Sequence, residues 1–164
     1  PSVFAALPKL LERAGTSESN GSITGLFTVL VEGDDFDEPI ADATRSILDG
    51  HIVLSREIAS RNHFPAIDIL RSTSRVMSSI VEKSHLAYSG AFREWMALYA
   101  QASDLINIGA YAKGSNPKVD QAIALQDRIN GYLRQAVDER STLEDAFRGM
   151  EAIVRLGESL IAKR

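Results

Sequence analysis

Ser22-Ile23-Thr24-Gly25-Leu26-Phe27-Thr28-Val29-Leu30-Val31 is rich in β-branched and aromatic residues and apolar on both alternating faces. That pattern predicts an interior strand of a parallel sheet, buried on both sides. Glu32-Gly33-Asp34-Asp35 follows as an acidic turn, and residues 38–48 read as a short helix with Pro39 at its start, where the missing N–H has no intrahelical partner to lose. His51-Ile52-Val53-Leu54 is a second short strand behind Gly50, residues 55–60 are helical, and Phe64-Pro65-Ala66-Ile67-Asp68 is a third extended piece. Strand, helix, strand, helix, strand is the alternation of a parallel α/β sheet.

Upstream, Phe4, Leu7, Leu11 and Ala14 recur at helical spacing with Lys9, Glu12 and Arg13 opposite, so residues 2–14 form an amphipathic helix. Pro8 should bend it, and Gly15 suits a left-handed cap at its end. Downstream of Met77 the texture changes. Leu86, Trp95, Met96, Leu98, Tyr99, Ala102, Leu105 and Ile106 mark a helix over 82–108 that Gly109 can close. Val119, Ile123, Ile129 and Leu133 mark another over 117–134, and 142–163 carries one more helical stretch or two short ones. Trp95, Met96, Tyr99 and Leu105 read as core, since apolar helical stripes usually face inward.

The chain therefore divides into an α/β piece, 1–77, and an all-helical piece, 78–164. Three strands make too small a sheet to stand with open edges, and Pro1-Ser2-Val3-Phe4 is not a natural translation start, so a fragment with strands missing upstream is expected.

Composition narrows the chemistry. In 164 residues, Lys+Arg 18 against Asp+Glu 22 gives a net charge of -4, which supplies no general attraction for nucleic acid or anionic lipid. The absence of cysteine excludes disulfides, thiolate catalysis and zinc–thiolate sites, and fits a reducing cytoplasm. No apolar run reaches the roughly 18 residues of a membrane span.

Single motifs carry little by themselves. Gly109 and Gly114 have GxxxxG spacing, but Lys113 precedes the second glycine and a helix leads in, so the segment is a helix-to-helix turn rather than a phosphate loop. His51, His63 and His85 are too scattered to pair as zinc ligands on one helix. Asp34, Asp35, Asp37 and Glu38 cluster where a strand ends, a place where open α/β sheets bind ligands, although charge alone favours a solvated turn. Arg71-Ser72-Thr73-Ser74-Arg75 reads as a polar, basic loop.

At these same residues a family resemblance enters. GSITGLFTVLVEGDDFDEPIADATRSILDGHIVLSREIASRNHFPAIDILRSTSRVM, residues 21–77, closely resembles the C-terminal part of the flagellum-specific ATPases of the type III protein export apparatus, the FliI family. PSVFAALPKLLERAG at the start and GAYAKGSNPKVDQAI at 109–123 are similar to the same family, which is homologous to rotary ATP synthase α and β subunits and shares PAIDxLxSxSR with them. Where synthase β subunits carry an acidic helix-turn-helix, this chain has Ala112-Lys113-Gly114-Ser115-Asn116-Pro117, which favours export over synthesis. GAYAKGS leans toward the flagellar branch over virulence-type secretion ATPases.

The resemblance implies the C-terminal part of a RecA-like P-loop ATPase core followed by an all-helical C-terminal domain, in a homo-hexamer with ATP between neighbours. It implies that the Walker lysine, the Mg ligands and the general base lie upstream, and that this chain alone is inactive. Arg75, in SRVM, matches the family's arginine finger, a role that suits a planar, permanently charged guanidinium. Phe64, in HFPAID, matches the aromatic residue placed against adenine, and the synthases' second adenine-side aromatic corresponds to Val137, which can pack but not stack. The implied partners are export substrates and chaperones, a coiled-coil stalk protein, a stator-like regulator at the N-terminus and the export gate. The implied location is cytoplasmic, peripheral to the inner membrane. A stand-alone interaction module without nucleotide function is the alternative from another class.

Overall fold

The computed structural model describes residues 2–18, 20–31, 33, 35 and 38–162. They form two compact units, Pro1–His51 and Ile52–Arg164. In the first, α1 (Ser2–Leu11) packs against α2 (Pro39–Ile47), with Leu11, Ala41 and Thr44 buried. The Thr44 hydroxyl, which burial would otherwise leave without water, donates to the Ile40 carbonyl at 2.7 Å. Pro39 stands in the first turn of α2, as its fixed φ and missing N–H favour.

Between these helices β1 (Gly15–Thr16) and β2 (Ser22–Ile23) pair antiparallel, Gly15 opposite Ile23 and Thr16 opposite Ser22. The interior parallel strand expected over 22–31 is not formed. Residues 24–30 belong to no strand, and Leu26 and Leu30 are 90% and 91% exposed. A segment apolar on both faces becomes a strand only with neighbours on both edges and layers over both faces, and β1 contributes a two-residue edge. Gly15 is a second correction: it has a positive φ of 137° but lies in β1, beyond a turn that ends α1 through Arg13 and Ala14 N–H bonds to Leu10 and Leu11. Within the acidic cluster, the Glu38 N–H bonds to the Asp35 carbonyl at 3.2 Å, while Asp34 and Asp37 lie outside the described residues.

β3 (Gly50–Leu54) pairs with β4 (Ile67–Ser74), joined by α3 (Arg56–Ser60), whose first turn is capped by the Ser55 hydroxyl accepting the Ile58 N–H. The extended piece expected to end at Asp68 thus runs on to Ser74. Arg71–Ser74, expected to be a loop, are strand residues, because the segment finds hydrogen-bond partners that periodicity does not reveal. A short α4 (Met77–Ile80) leads into α5 (Lys83–Asn107), α6 (Pro117–Leu133) and α7 (Leu143–Ala162).

These three long helices share one core of Phe92, Trp95, Ala122, Leu125, Ile129, Met150 and Val154, with Leu125 and Ile129 fully enclosed. Met96 and Tyr99 pack on it as expected; Leu105 does not, being 50% exposed near the end of α5. One buried polar device crosses the core. The Trp95 indole N–H donates to Gln121 Oε1 at 3.0 Å, and Gln121 Nε2 donates to the Gly157 carbonyl at 2.8 Å, so one amide satisfies groups on α5 and α7 from α6. α7 starts on a reciprocal cap: Asp145 N–H bonds to the Thr142 hydroxyl, and Asp145 Oδ2 accepts the Thr142 N–H. The Thr142 hydroxyl, donating to Asp145 Oδ2 at 2.8 Å, and after it the Thr142 N–H hold the Asp145 carboxyl below its ordinary pKa.

Candidate functional site

The site is organised by β4. Phe64 precedes it, Arg75 follows it directly, and both are exposed. Phe64 is 52% exposed, which leaves an apolar face open to solvent. Its backbone is anchored: the Phe64 carbonyl accepts the Gln135 N–H at 2.9 Å, and the Phe64–Pro65 peptide is cis. Beyond Gln135 the chain folds tightly, with Ala136 N–H donating to Glu139 Oε2 at 3.0 Å and Glu139 N–H to the Ala136 carbonyl at 3.2 Å. Val137 is fully exposed on that turn. The structure therefore joins the segment carrying Phe64 to the one carrying Val137, residues far apart in sequence, through the Phe64–Gln135 bond.

His63 stands beside this junction. Its pKa is lowered chiefly by burial and further by the Arg134 guanidinium, against a smaller opposing hydrogen bond with the Leu133 backbone. His63, Arg134 and Gln135 escape sequence reasoning because a lone histidine and a helix-end Arg-Gln pair carry no spacing that links them.

Arg75 is reached through a strand that is not regular. The Arg71 N–H bonds to Asp68 Oδ1 at 3.0 Å, and the Ser72 hydroxyl bonds to the Asp68 carbonyl at 2.6 Å while accepting the Val53 N–H at 3.0 Å. Arg93, from α5, donates through Nη1 to the carbonyls of Ile69 at 2.6 Å and Ser72 at 3.2 Å, and through Nη2 to that of Leu70 at 3.0 Å. Successive carbonyls of a flat pleat point to opposite sides, so their convergence on one guanidinium marks a local kink of the bulge type. Arg93 also escaped the sequence, where it is one exposed arginine on a helix.

The turn between α5 and α6 is a helix connection, as its glycine order predicts, with Gly109 and Gly114 at φ 70° and 94°. Buried Asp120 accepts the Gly114 N–H at 3.0 Å and the Tyr111 hydroxyl at 3.1 Å, and the Asn116 side chain caps α6 through the Lys118 and Val119 N–H groups. It is not a phosphate cradle.

ATP finds a partial fit in these residues: an exposed aromatic face at Phe64 for the base, with no GxxxxGK[ST] segment in the chain for the phosphates. Mg2+ does not fit, since among the described residues no three His, Asp or Glu side chains converge as a metal site requires. Among the described residues no helix is long and apolar enough to cross a membrane.

Comparison with known proteins matches this arrangement in two parts. Residues 1–74 match the ATP synthase alpha/beta family, nucleotide-binding domain, and residues 81–152 match the T3SS EscN ATPase C-terminal domain. The flagellum-specific ATP synthase of Bacillus subtilis is 50% identical over 153 residues, 93% of this chain and 35% of the relative. The type 3 secretion system ATPase of Sinorhizobium fredii is 52% identical over 153 residues, 93% of this chain and 34% of that protein. The assembled ATPase EscN of enteropathogenic E. coli superposes with a TM-score of 0.89 at 46% identity, covering 94% of this chain and 37% of EscN. EscN in complex with its central stalk EscO gives 0.84 at 45% identity, covering 94% and 36%. The chain thus spans about a third of the length of the relatives it matches.

An α/β segment of the synthase nucleotide-binding type, continued by a three-helix domain, defines part of a P-loop ATPase. Within that class, the two matched segments and relatives near half identity point to one branch: the chain is similar to part of the type III export ATPases, the family of the flagellum-specific and type 3 secretion enzymes.

Proposed function

We propose that this chain is the part of a type III export ATPase that supplies the arginine finger and the adenine-side aromatic of ATP sites between subunits, together with a helical domain that meets export substrates, chaperones and a coiled-coil stalk. On this reading 1–77 is the end of the RecA-like core and 78–164 is the helical domain. The observation that carries the proposal is the placement of Phe64 and Arg75 at opposite ends of β4, both exposed, in a segment that matches the synthase nucleotide-binding domain. One subunit then contributes an aromatic face to a base at one end of the strand and a cation to a neighbour's phosphates at the other.

The chemistry asked of each is modest. Phe64 stacks on adenine, worth about 1 kcal/mol beyond burial, with Val137 packing beside it. Arg75 meets charge developing on the transferring phosphoryl, where a bidentate guanidinium in a water-poor interface is most effective. The phosphate cradle, Mg2+ ligands and water activation belong to residues outside this chain, in a closed ring of six copies. The enzyme works in the cytoplasm at the inner-membrane export gate, where a stator-like regulator binds its N-terminal part.

Flagellar export is the preferred system, from the GAYAKGS turn. Virulence-type secretion is a second reading, favoured by the S. fredii relative at 52% identity.

The test is Arg75→Ala in the intact protein. Turnover should fall by about 10³ to 10⁵ while nucleotide still binds. Because the arginine acts across an interface, mixing this variant with one lacking the phosphate-loop lysine should restore activity at interfaces that pair an intact finger with an intact loop. No loss in the single variant, or no recovery in the mixture, would remove Arg75 from the reaction.

A further inference from the structure

We propose that Arg93 is a positioning residue for Arg75, fixing from α5 the strand end on which that arginine is carried. This rests on the arginine-finger reading of Arg75. Three carbonyls of β4, on Ile69, Leu70 and Ser72, are held by the one guanidinium, and the last of them lies three residues before Arg75. Ser72 is held a second time, on its hydroxyl, by the Val53 N–H and its own bond to Asp68. The strand end is thus fixed from β3 on one side and from α5 on the other.

The residue type matters. A guanidinium carries five donors in a rigid fork and stays charged at any working pH, so it can hold carbonyls of a kinked strand that point away from a regular partner. Lysine offers one compact ammonium and would hold one or two of the three. Without the fork the kink at 68–72 loses its charged clasp, and Arg75 samples positions displaced from the one it needs. Misplacement of about 1 Å in such a group costs up to about 100-fold in turnover.

The inference further implies communication. Arg93 lies on the helix whose far end enters the turn at 109–116, so a change in the seating of α5 reaches the strand that carries Arg75 by direct hydrogen bonds.

The experiment uses the intact protein with Arg93→Met, which keeps the aliphatic stem, and Arg93→Lys, which keeps the charge. Arg93→Met should lower kcat about 10- to 100-fold with KM for ATP within about two-fold, and Arg93→Lys should recover part of the loss. Mixing separates positioning from general damage. Arg93→Met should recover activity when mixed with a phosphate-loop lysine variant, because its own phosphate loop is intact, and should recover none when mixed with Arg75→Ala, because both defects sit on the same side of the interface. Unchanged kcat, recovery with Arg75→Ala, or no recovery with the lysine variant would each overturn the inference. If Arg93→Met fails to assemble, the same mixtures are made with Arg93→Lys and judged by the same outcomes. Failure of the underlying reading looks different: the Arg75→Ala and lysine-variant mixture, run alongside, would itself show no recovery.

Discussion

His63 is the residue at which solution conditions should act most directly on the junction between the Phe64 segment and the end of α6. Its pKa is depressed in the folded chain, so the folded state binds fewer protons than the unfolded state wherever pH lies between the two values. Stability is therefore fully present above the ordinary histidine value of about 6.5 and is lost as pH falls through the folded value. We expect acidification from neutrality to lower the denaturation midpoint, and His63→Gln to flatten that dependence; an unaltered slope in the variant would assign the acid sensitivity elsewhere. Arg134, whose positive charge contributes to the depression, offers a second handle, since Arg134→Gln should raise the His63 pKa in an NMR titration.

Among the elements, the helix-packing positions differ sharply in what they tolerate. Gly157 on α7 would place an added Cβ 2.7 Å from the Trp95 ring, and that ring cannot retreat without breaking its bond to Gln121. Helix propensity would favour Gly157→Ala by up to about 1 kcal/mol, but overpacking costs about 1–3 kcal/mol, so the net change is destabilising. Gly131 on α6 meets nothing within 4 Å, and Gly131→Ala should stabilise by about 0.5–1 kcal/mol. Chemical denaturation of the two variants should move in opposite directions. Gln121→Leu should cost about 1–3 kcal/mol, because it strands the buried Trp95 N–H, while the Gly157 carbonyl keeps its intrahelical partner one turn on.

The same elements explain what could be read in advance. Helices α2, α5, α6 and α7 follow from apolar spacing and from Pro39 and Gly109, all local signals. The apolar run 22–31 gave a wrong strand, because alternation says what a segment could pair with and not whether the partner is present. Phe64 and Arg75 became candidates through family likeness alone, while Arg93 and Gln135 act through bonds across 21 to 71 residues of chain that no local pattern encodes.

At the scale of the whole molecule, the proposed function gives the chain contributors to a reaction without the apparatus to run it. Purified alone, it should show no ATP turnover, and calorimetry should find binding weaker than the micromolar range, about -8 kcal/mol, since one aromatic face supplies only a small part of that. Micromolar binding would reveal a phosphate site in a chain that lacks the motif.

The span of α5 gives the helical domain a mechanical property. Its 25 uninterrupted residues make a rod of about 37 Å, and its clasp on β4 lies roughly 21 Å from the end that enters the 109–116 turn. Gln121, by joining all three helices at their core, stops them from sliding past one another. The domain then behaves as a stiff lever with Arg93 near its fulcrum, and a tilt of about 3° is enough to move the tip by about 1 Å. Whatever grips the tip acts with that leverage on the strand that presents Arg75.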